Sequence, residues 1–549
     1  MTASPRGRSR VGILGLLLLG ELLGQDVFAQ APGPRQRWSV LLLTLDCLRP
    51  DHMSLYGYTR ETTPHLDRFA CESLVFENAF STSAWTVPGI VSLVTGYYPP
   101  VHGQNGRYGF YDREMPSPLR LLAEEGYDVL GSDIKGPGHE DLGYQGKPAS
   151  EGPWLEQFVR TRASNPKPFF VWIHLNSVHL PYTPSEKNAS RWMDTSRSSE
   201  GVGAVREHRM ILRTEQAGLE YKHASNVAFV EEDVPTIRAL YDGEVADLDE
   251  SLGNALQGMR ENGLLDRTIV VITADHGEEL LDHGWVGHAS TSYDGKLYDE
   301  LIRIPLIIRL PDRSRVGRSD ALVQGVDLMP TLLPLLGVDP SRMDPPMQGQ
   351  SLLPLVRGER KEVRTHVFTQ TTLKGWTTPK EEMKARVVSV RTRDLKLLSF
   401  PQGEGRRIEA YDLRADPGET RNLYPKRAAK FAELEKALAA WRDQNQTTAA
   451  RLVQGAADRR RASLERALHE GDLVPAAREW EAVEIMHLTW GFEPEPFYAQ
   501  EPFAGPWRSL RRLVAGEITS AVECTSRDKT FRFVPATPSR LSASVVCLE

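Results

Sequence analysis

Two carboxylates and an imidazole stand at the ends of apolar runs. Asp46 closes SVLLLTL, and the adjacent pair Asp275 and His276 closes TIVVITA. Both runs are β-branched and apolar without alternation, which reads as a strand buried on both faces. A carboxylate at the C-terminal edge of such a strand sits where open α/β sheets place ligands. Oxygen and nitrogen donors of this kind suit one divalent ion, such as calcium, manganese or zinc. An ion so held would polarise a charged ester and acidify a nearby hydroxyl. Thr86 offers that hydroxyl: it opens TVPGIVSLVTG, where Pro88 suits a first helical turn and Gly96 a stop. The unpaired N–H groups and dipole of such a helix start favour a developing anion. Simpler roles exist for both residues, Asp46 capping a loop and Thr86 capping the helix.

The elements that must position these groups alternate. Buried strands are expected at Leu74–Ala79, Pro168–Leu175 and within LYDELIRIPLIIRLP, with His179 just past the second. Helices are expected from about Thr62, over IRALYDGEVADLDESLGNALQGMRENGLLD and over VDLMPTLLPLLGV. This order implies an α/β fold whose mostly parallel sheet is covered by helices on both faces. Residues 188–234 are polar and poorly periodic and read as a long surface insertion near the site, a lid or substrate-selecting loop. Later, VVSVRTRDLKLLSFP and RRIEAYDLRADPGETRNLYP read as short antiparallel strands and turns of a smaller α+β subdomain, followed by a helical stretch and a β-rich tail. Asp247 and Asp249, mid-helix, read as structural, and Arg49 and Asp51 as braces of the Asp46 loop.

Of 549 residues, 66 are Lys or Arg and 73 Asp or Glu, a net charge of −7 without long single-sign blocks, which argues against nucleic acid as the main partner. Arg6, Arg8 and Arg10 precede VGILGLLLLG, and Ala29 and Ala31 follow, the three-part form of a secretory signal peptide over 1–31. The mature protein is thus expected to be exported, periplasmic or extracellular, with no membrane span after cleavage. Export permits disulfides. Cys524 and Cys547 flank the β-rich tail and form a plausible pair, and Cys47 could pair with Cys71.

The chain resembles the sulfatase family of the alkaline phosphatase superfamily. The resemblance runs from about Ser39 to Pro425, through DCLRPDHMSLYGY, STSAWTVPGIVSLVTGYYP, HLPY, TADHGEELLDHG, GHASTSYDGKLYDELIRIPLIIRLP and AYDLRADPGETRNL. It implies an alkaline-phosphatase-like catalytic domain over 38–338, the α+β subdomain over 339–428, and a remainder, 429–549, without an assigned role. Carried over by position, it makes Asp46, Asp275, His276 and Thr86 the metal-binding set and Thr86 the nucleophile. His179 falls near the leaving group, Lys135 and His139 near a Lys/His pair, and His288 where many sulfatases contact substrate through Lys.

Two departures change the expected chemistry. The family's Cys-x-Pro-x-Arg, whose Cys becomes formylglycine, reads here Thr86-Val87-Pro88-Gly89-Ile90. A threonine ester cannot expel its group by collapsing to an aldehyde and must be attacked a second time, by water or an alcohol. Phospho-transferring members of the superfamily are similar in using Thr. Cys47 stands where many sulfatases have a second metal-binding Asp, and it reads as a small buried side chain. The expected activity is metal-dependent hydrolysis of an anionic sulfate or phosphate ester on a small molecule or glycan. The alternatives are transfer of a phospho-substituent to envelope glycan or lipid, and a non-catalytic binding role.

Overall fold

The computed structural model describes residues 37–105, 111, 115–132, 142–146, 154–176, 178–192, 198–207, 212–213, 225–227, 229–288, 296–373, 385–402, 405–470, 522–526, 529–534 and 544–548. Residues 1–31, where a signal peptide is expected, and both Lys135 and His139 lie outside them.

The central sheet contains β1 (Ser39–Leu45), β2 (Leu74–Phe80), β3 (Asp128–Gly131), β4 (Phe169–Leu175), β5 (Thr268–Ala274), β6 (Arg303–Arg309) and β7 (Gly317–Gln324). Its spatial order is β7-β2-β6-β5-β1-β4-β3. Every residue of β1 and β5 is buried, as their unbroken apolar runs require. β1 pairs in parallel with β4 on one side and β5 on the other, so Leu45 lies level with Leu175 and Ala274. The residues that follow all three strands therefore emerge together at one edge.

Only β6 runs against its neighbours, antiparallel to both β5 and β2. The described residues between Ala274 and Arg303 form short elements at Glu279–Leu280, Trp285–Gly287 and Asp299–Ile302, and β6 then leaves in the direction opposite to β5. β7 was not expected; its first half, Gly317–Asp320, is mostly exposed and only Ala321–Gln324 carries the buried signature of the other strands.

Two helices fix the site. α1 (Thr86–Thr95) follows β2 and ends at Gly96, whose φ of 75° closes the helix in the left-handed region. α2 (Val234–Glu261) buries Ile237, Leu240, Tyr241, Val245, Leu248 and Leu252, a three-and-four spacing that makes one apolar stripe. Its acidic residues are structural, as read: Asp249 accepts from the backbone N–H groups of His65 and Leu66, both at 2.9 Å, and so caps the helix Pro64–Ala70 from outside. Asp247 accepts from Ser185 and Asn188.

The insertion is more tightly docked than its polarity suggested. The helix Glu200–Glu207 buries Gly201, Val202, Ala204 and Val205, and the Tyr182 N–H bonds the Val205 carbonyl at 2.8 Å. Four antiparallel strands, Val367–Thr372, Arg386–Arg391, Leu395–Gln402 and Gly405–Asp412, form a second sheet. Its apolar face packs on Phe431, Leu434, Leu438 and Trp441, at and after the start of a third helix, α3 (Ala432–Glu470).

The cysteine pairings are corrected. Cys47 is buried, Cys71 exposed, and both are free. Cys524 and Cys547 each lie opposite Phe531, on either side of the middle strand of a three-stranded sheet. Two strand spacings put their Cα atoms about 9.5 Å apart, beyond the roughly 7 Å limit of a disulfide.

Replacing Asp249 by Ala leaves two helix-starting N–H groups without their acceptor in a buried setting. The expected loss is about 2 kcal/mol, read as a lower urea midpoint with an unchanged denaturant slope.

Candidate active site

The site is built from three strand ends and one helix start. Asp46 extends the β1 ladder by one bond, its N–H to the Leu175 carbonyl at 2.8 Å, and is 2 % exposed. Cys47 then turns the chain with φ of 62°, a conformation uncommon outside glycine. That turn aims the Cys47 N–H at Asp275 Oδ1, 3.3 Å away. The loop beyond is held from below: Tyr241 on α2 donates to the Cys47 carbonyl at 2.7 Å and accepts from the Arg49 N–H at 2.9 Å. Arg49 is the brace the sequence suggested. Its guanidinium bonds Asp51, Asp282 and the Glu278 carbonyl.

α1 is pressed against the end of β5. A Cβ on Gly89 would come 2.7 Å from the Asp275 carbonyl oxygen, so only glycine permits this approach. From Ala79 to Pro99, Thr86 is the one residue that is not buried. The helix cap position falls on Trp85 and no side chain caps there, which removes the capping role considered for Thr86. Instead Thr86 Oγ1 lies 3.3 Å from His276 Nε2.

His276 is oriented by its other nitrogen. Nδ1–H donates to the Gly277 carbonyl at 2.7 Å, which turns Nε2 toward Asp275 Oδ2 at 3.2 Å and Asp46 Oδ1 at 3.6 Å. A Cβ on Gly277 would meet the Glu300 carbonyl oxygen at 1.9 Å, so the Asp-His-Gly turn is sterically specified. His179 and His288 join the group: their rings are 4.8 Å apart, and His288 is 4.4 Å from His276. His179 Nδ1 bonds the Leu180 carbonyl at 2.6 Å, and His288 Nδ1 pairs with Glu278 at 3.0 Å. Thus Asp46, Asp275, His276, Thr86, His179 and His288 converge, whereas Lys135 and His139 lie outside the described residues. His283 does not join them; it pairs with Glu300 and stacks on Tyr298.

Two residues escaped the sequence reading. His174, one residue before the end of β4, places Nε2 3.5 Å from Asp46 Oδ2. Its only signal was a polar residue inside FFVWIHL. Glu278 is fully buried, and its Oε2 has no hydrogen-bond partner among the described residues. Cys47 is more central than expected, with Sγ 3.1 Å from Asp46 Oδ1 and 3.5 Å from His288 Nδ1.

The electrostatics call for positive charge. Burial opposes ionisation of Asp46, but His174, His179 and His276 outweigh it and hold the carboxyl well below its usual range. Burial likewise opposes charging of His276, yet Asp275 and Asp46 lift it to about 9. Asp275 Oδ2 and His174 Nε2 are buried with ion-pair neighbours, His276 Nε2 at 3.2 Å and Asp46 Oδ2 at 3.5 Å, but without well-aligned hydrogen bonds among the described residues. Buried carboxylate oxygens and imidazole nitrogens that face one another without well-aligned hydrogen bonds fit a divalent ion. Asp46, His174 and Asp275 present ligand atoms within 4.8 Å of one another, as do Cys47, His276 and His288.

The sequence profile of the family described as Sulfatase matches residues 39–338, and that described as N-sulphoglucosamine sulphohydrolase, C-terminal, matches 287–446. The chain is 25 % identical over 495 residues to an N-acetylglucosamine-6-O-sulfatase of Bacteroides thetaiotaomicron, covering 73 % of this chain and 85 % of that protein. It is 28 % identical over 296 residues to Arylsulfatase K of Bos taurus, spanning about half of each (51 % and 52 %). The solved phosphonate monoester hydrolase of Agrobacterium radiobacter superposes with a TM-score of 0.59 at 20 % identity, over 74 % of this chain and 96 % of that one.

Burial, the larger cause, and nearby Asp46 push Glu278 up to about 7, against the pull of His179 and His276. A raised carboxyl favours the folded state fully below its unfolded value of 4.5 and loses that contribution as pH rises through about 7. In metal-free protein, Glu278→Gln should therefore reduce the fall in unfolding free energy between pH 4.5 and 7. Urea melts across that range check it.

Proposed function

The chain belongs to the sulfatase family, a family of sulfuric and phosphoric ester hydrolases, and from that premise we propose that it hydrolyses anionic sulfate or phosphate esters with Thr86 as the nucleophile. The observation that carries the reading is the position of Thr86, a lone accessible hydroxyl on a buried segment, 3.3 Å from His276 and beside the paired carboxylates. Asp46, Asp275 and His276 would hold one divalent ion next to Thr86, and that ion, when bound, supplies Lewis acidity toward the ester and the hydroxyl.

The rest of the chemistry belongs to the chain. The start of α1 directs free N–H groups toward negative charge arising on the transferring group. Thr86 Oγ attacks sulfur or phosphorus in line with the departing oxygen, its proton passing to the solvent to which Thr86 is partly open. His179, half-buried at the cleft, protonates the leaving oxygen as general acid, with His288 beside it. Glu278 and the Leu180 carbonyl fix how these two rings are turned. Water then attacks the threonine ester, its proton taken up by the imidazole left neutral in the first step, and free sulfate or phosphate departs.

The relative named for N-acetylglucosamine 6-O-sulfate makes a sulfated or phosphorylated sugar the first substrate class to try. Among the described residues no helix is long and apolar enough to cross a membrane. Export is part of the proposal, supported by the basic, apolar and small-residue order of the first 31 residues.

A panel of aryl sulfate, phosphate monoester, phosphodiester and phosphonate substrates tests the reading. Turnover should fall by about 10³-fold or more in Thr86→Ala and survive in part in Thr86→Ser. Full turnover by Thr86→Ala removes the nucleophile from Thr86.

A further inference from the structure

We propose that His174 is a fourth protein ligand of the metal centre, and that the centre therefore takes a zinc-class ion in preference to calcium. The inference rests on the metal-dependent reading above and narrows it.

His174 lies level with Thr44 in the β1–β4 pairing, one step before the strands release Asp46 and the site loops. Trp172 Nε1–H donates to Thr44 Oγ1 at 2.8 Å, so that oxygen accepts one hydrogen bond and keeps a second lone pair and its own proton. His174 Nδ1 lies 2.9 Å from the same oxygen. In the tautomer proposed, Nδ1–H donates to Thr44 Oγ1 and the Thr44 hydroxyl turns to the Ile173 carbonyl 3.5 Å away. In that tautomer the lone pair is on Nε2, facing the carboxylates. That nitrogen is buried, makes no well-aligned hydrogen bond among the described residues, and faces Asp46 Oδ2 as an ion-pair neighbour at 3.5 Å. Its ligand atom lies within 4.8 Å of those of both Asp46 and Asp275. A ligating histidine whose other nitrogen is pinned by an outer acceptor has this arrangement. Here Thr44 and Trp172 supply the outer support.

The donor set decides the ion. Calcium takes six to eight oxygens, supplied largely by carboxylates and carbonyls. This cleft offers two carboxylates, the imidazoles of His174 and His276, and the Cys47 thiol 3.1 Å from Asp46 Oδ1. Imidazole and sulfur neighbours favour zinc and its transition-metal relatives.

The test uses the full chain stripped with a chelator, titrated with Zn²⁺ and with Ca²⁺ by calorimetry, and loaded with Co²⁺ for its visible spectrum. Wild type should bind Zn²⁺ at least roughly 100-fold tighter than Ca²⁺. His174→Ala should weaken Zn²⁺ by about 10-fold to 100-fold and change the Co²⁺ bands, without altering far-ultraviolet dichroism. His174→Gln serves the same purpose if the Ala variant misfolds. Unchanged zinc affinity and an unchanged cobalt spectrum in the folded variant overturn the assignment, as does equal affinity of wild type for the two ions. Asp275→Asn separates the two layers of the argument. If it abolishes zinc binding while His174 variants do not, His174 fails and the metal-dependent reading stands. If wild type binds neither ion, both fail.

Discussion

Two buried carboxylates at the ends of adjacent parallel strands govern this molecule. Asp46 and Asp275 follow β1 and β5, strands paired residue for residue from Ser39 with Thr268 to Leu45 with Ala274. The sheet register alone brings them together, and their burial makes their like charge costly unless positive charge answers it. Around them the protein arranges imidazoles and N–H groups, and no neighbouring Lys or Arg enters the described cleft to neutralise them. Arg49, the nearest guanidinium in sequence, is turned away and held by Asp51, Asp282 and a carbonyl.

The support for this edge is steric as much as electrostatic. Gly89 lets α1 touch the Asp275 backbone, and Gly277 lets the following loop pass the Glu300 carbonyl. Tyr241 ties α2 to the Cys47 loop. A helix that delivers a hydroxyl, a strand that delivers a carboxylate and a turn that delivers an imidazole are thereby held in one arrangement. Thr86 stands within this frame at the start of α1, 3.3 Å from His276 Nε2.

Much of the frame was legible in the sequence because it is local. The unbroken apolar runs of β1 and β5, the Gly96 stop of α1 and the stripe of α2 each follow from a few neighbouring residues. What was hidden depends on distant partners. The direction of β6 is a matter of its pairing with β5 and β2, not of its own composition. β7 is half polar because half of it is exposed. The burial of Val202 and Val205 gives the insertion a packed helix that its overall polarity masked. His174 looked like one more strand residue until the register set it beside Thr44 and Asp46. Cys524 and Cys547 suggested a pair by flanking one region, but a third strand runs between them.

The central claim is that Asp46, Asp275 and His276 share a single cation beside Thr86. Anomalous diffraction from crystals of the purified protein, collected on both sides of the metal's absorption edge, addresses it directly. The account predicts one peak in the cleft at about 2.0–2.2 Å from a carboxylate oxygen of each Asp and from His276 Nε2. A cleft without a peak in metal-replete crystals, or an ion bound only elsewhere, would contradict it.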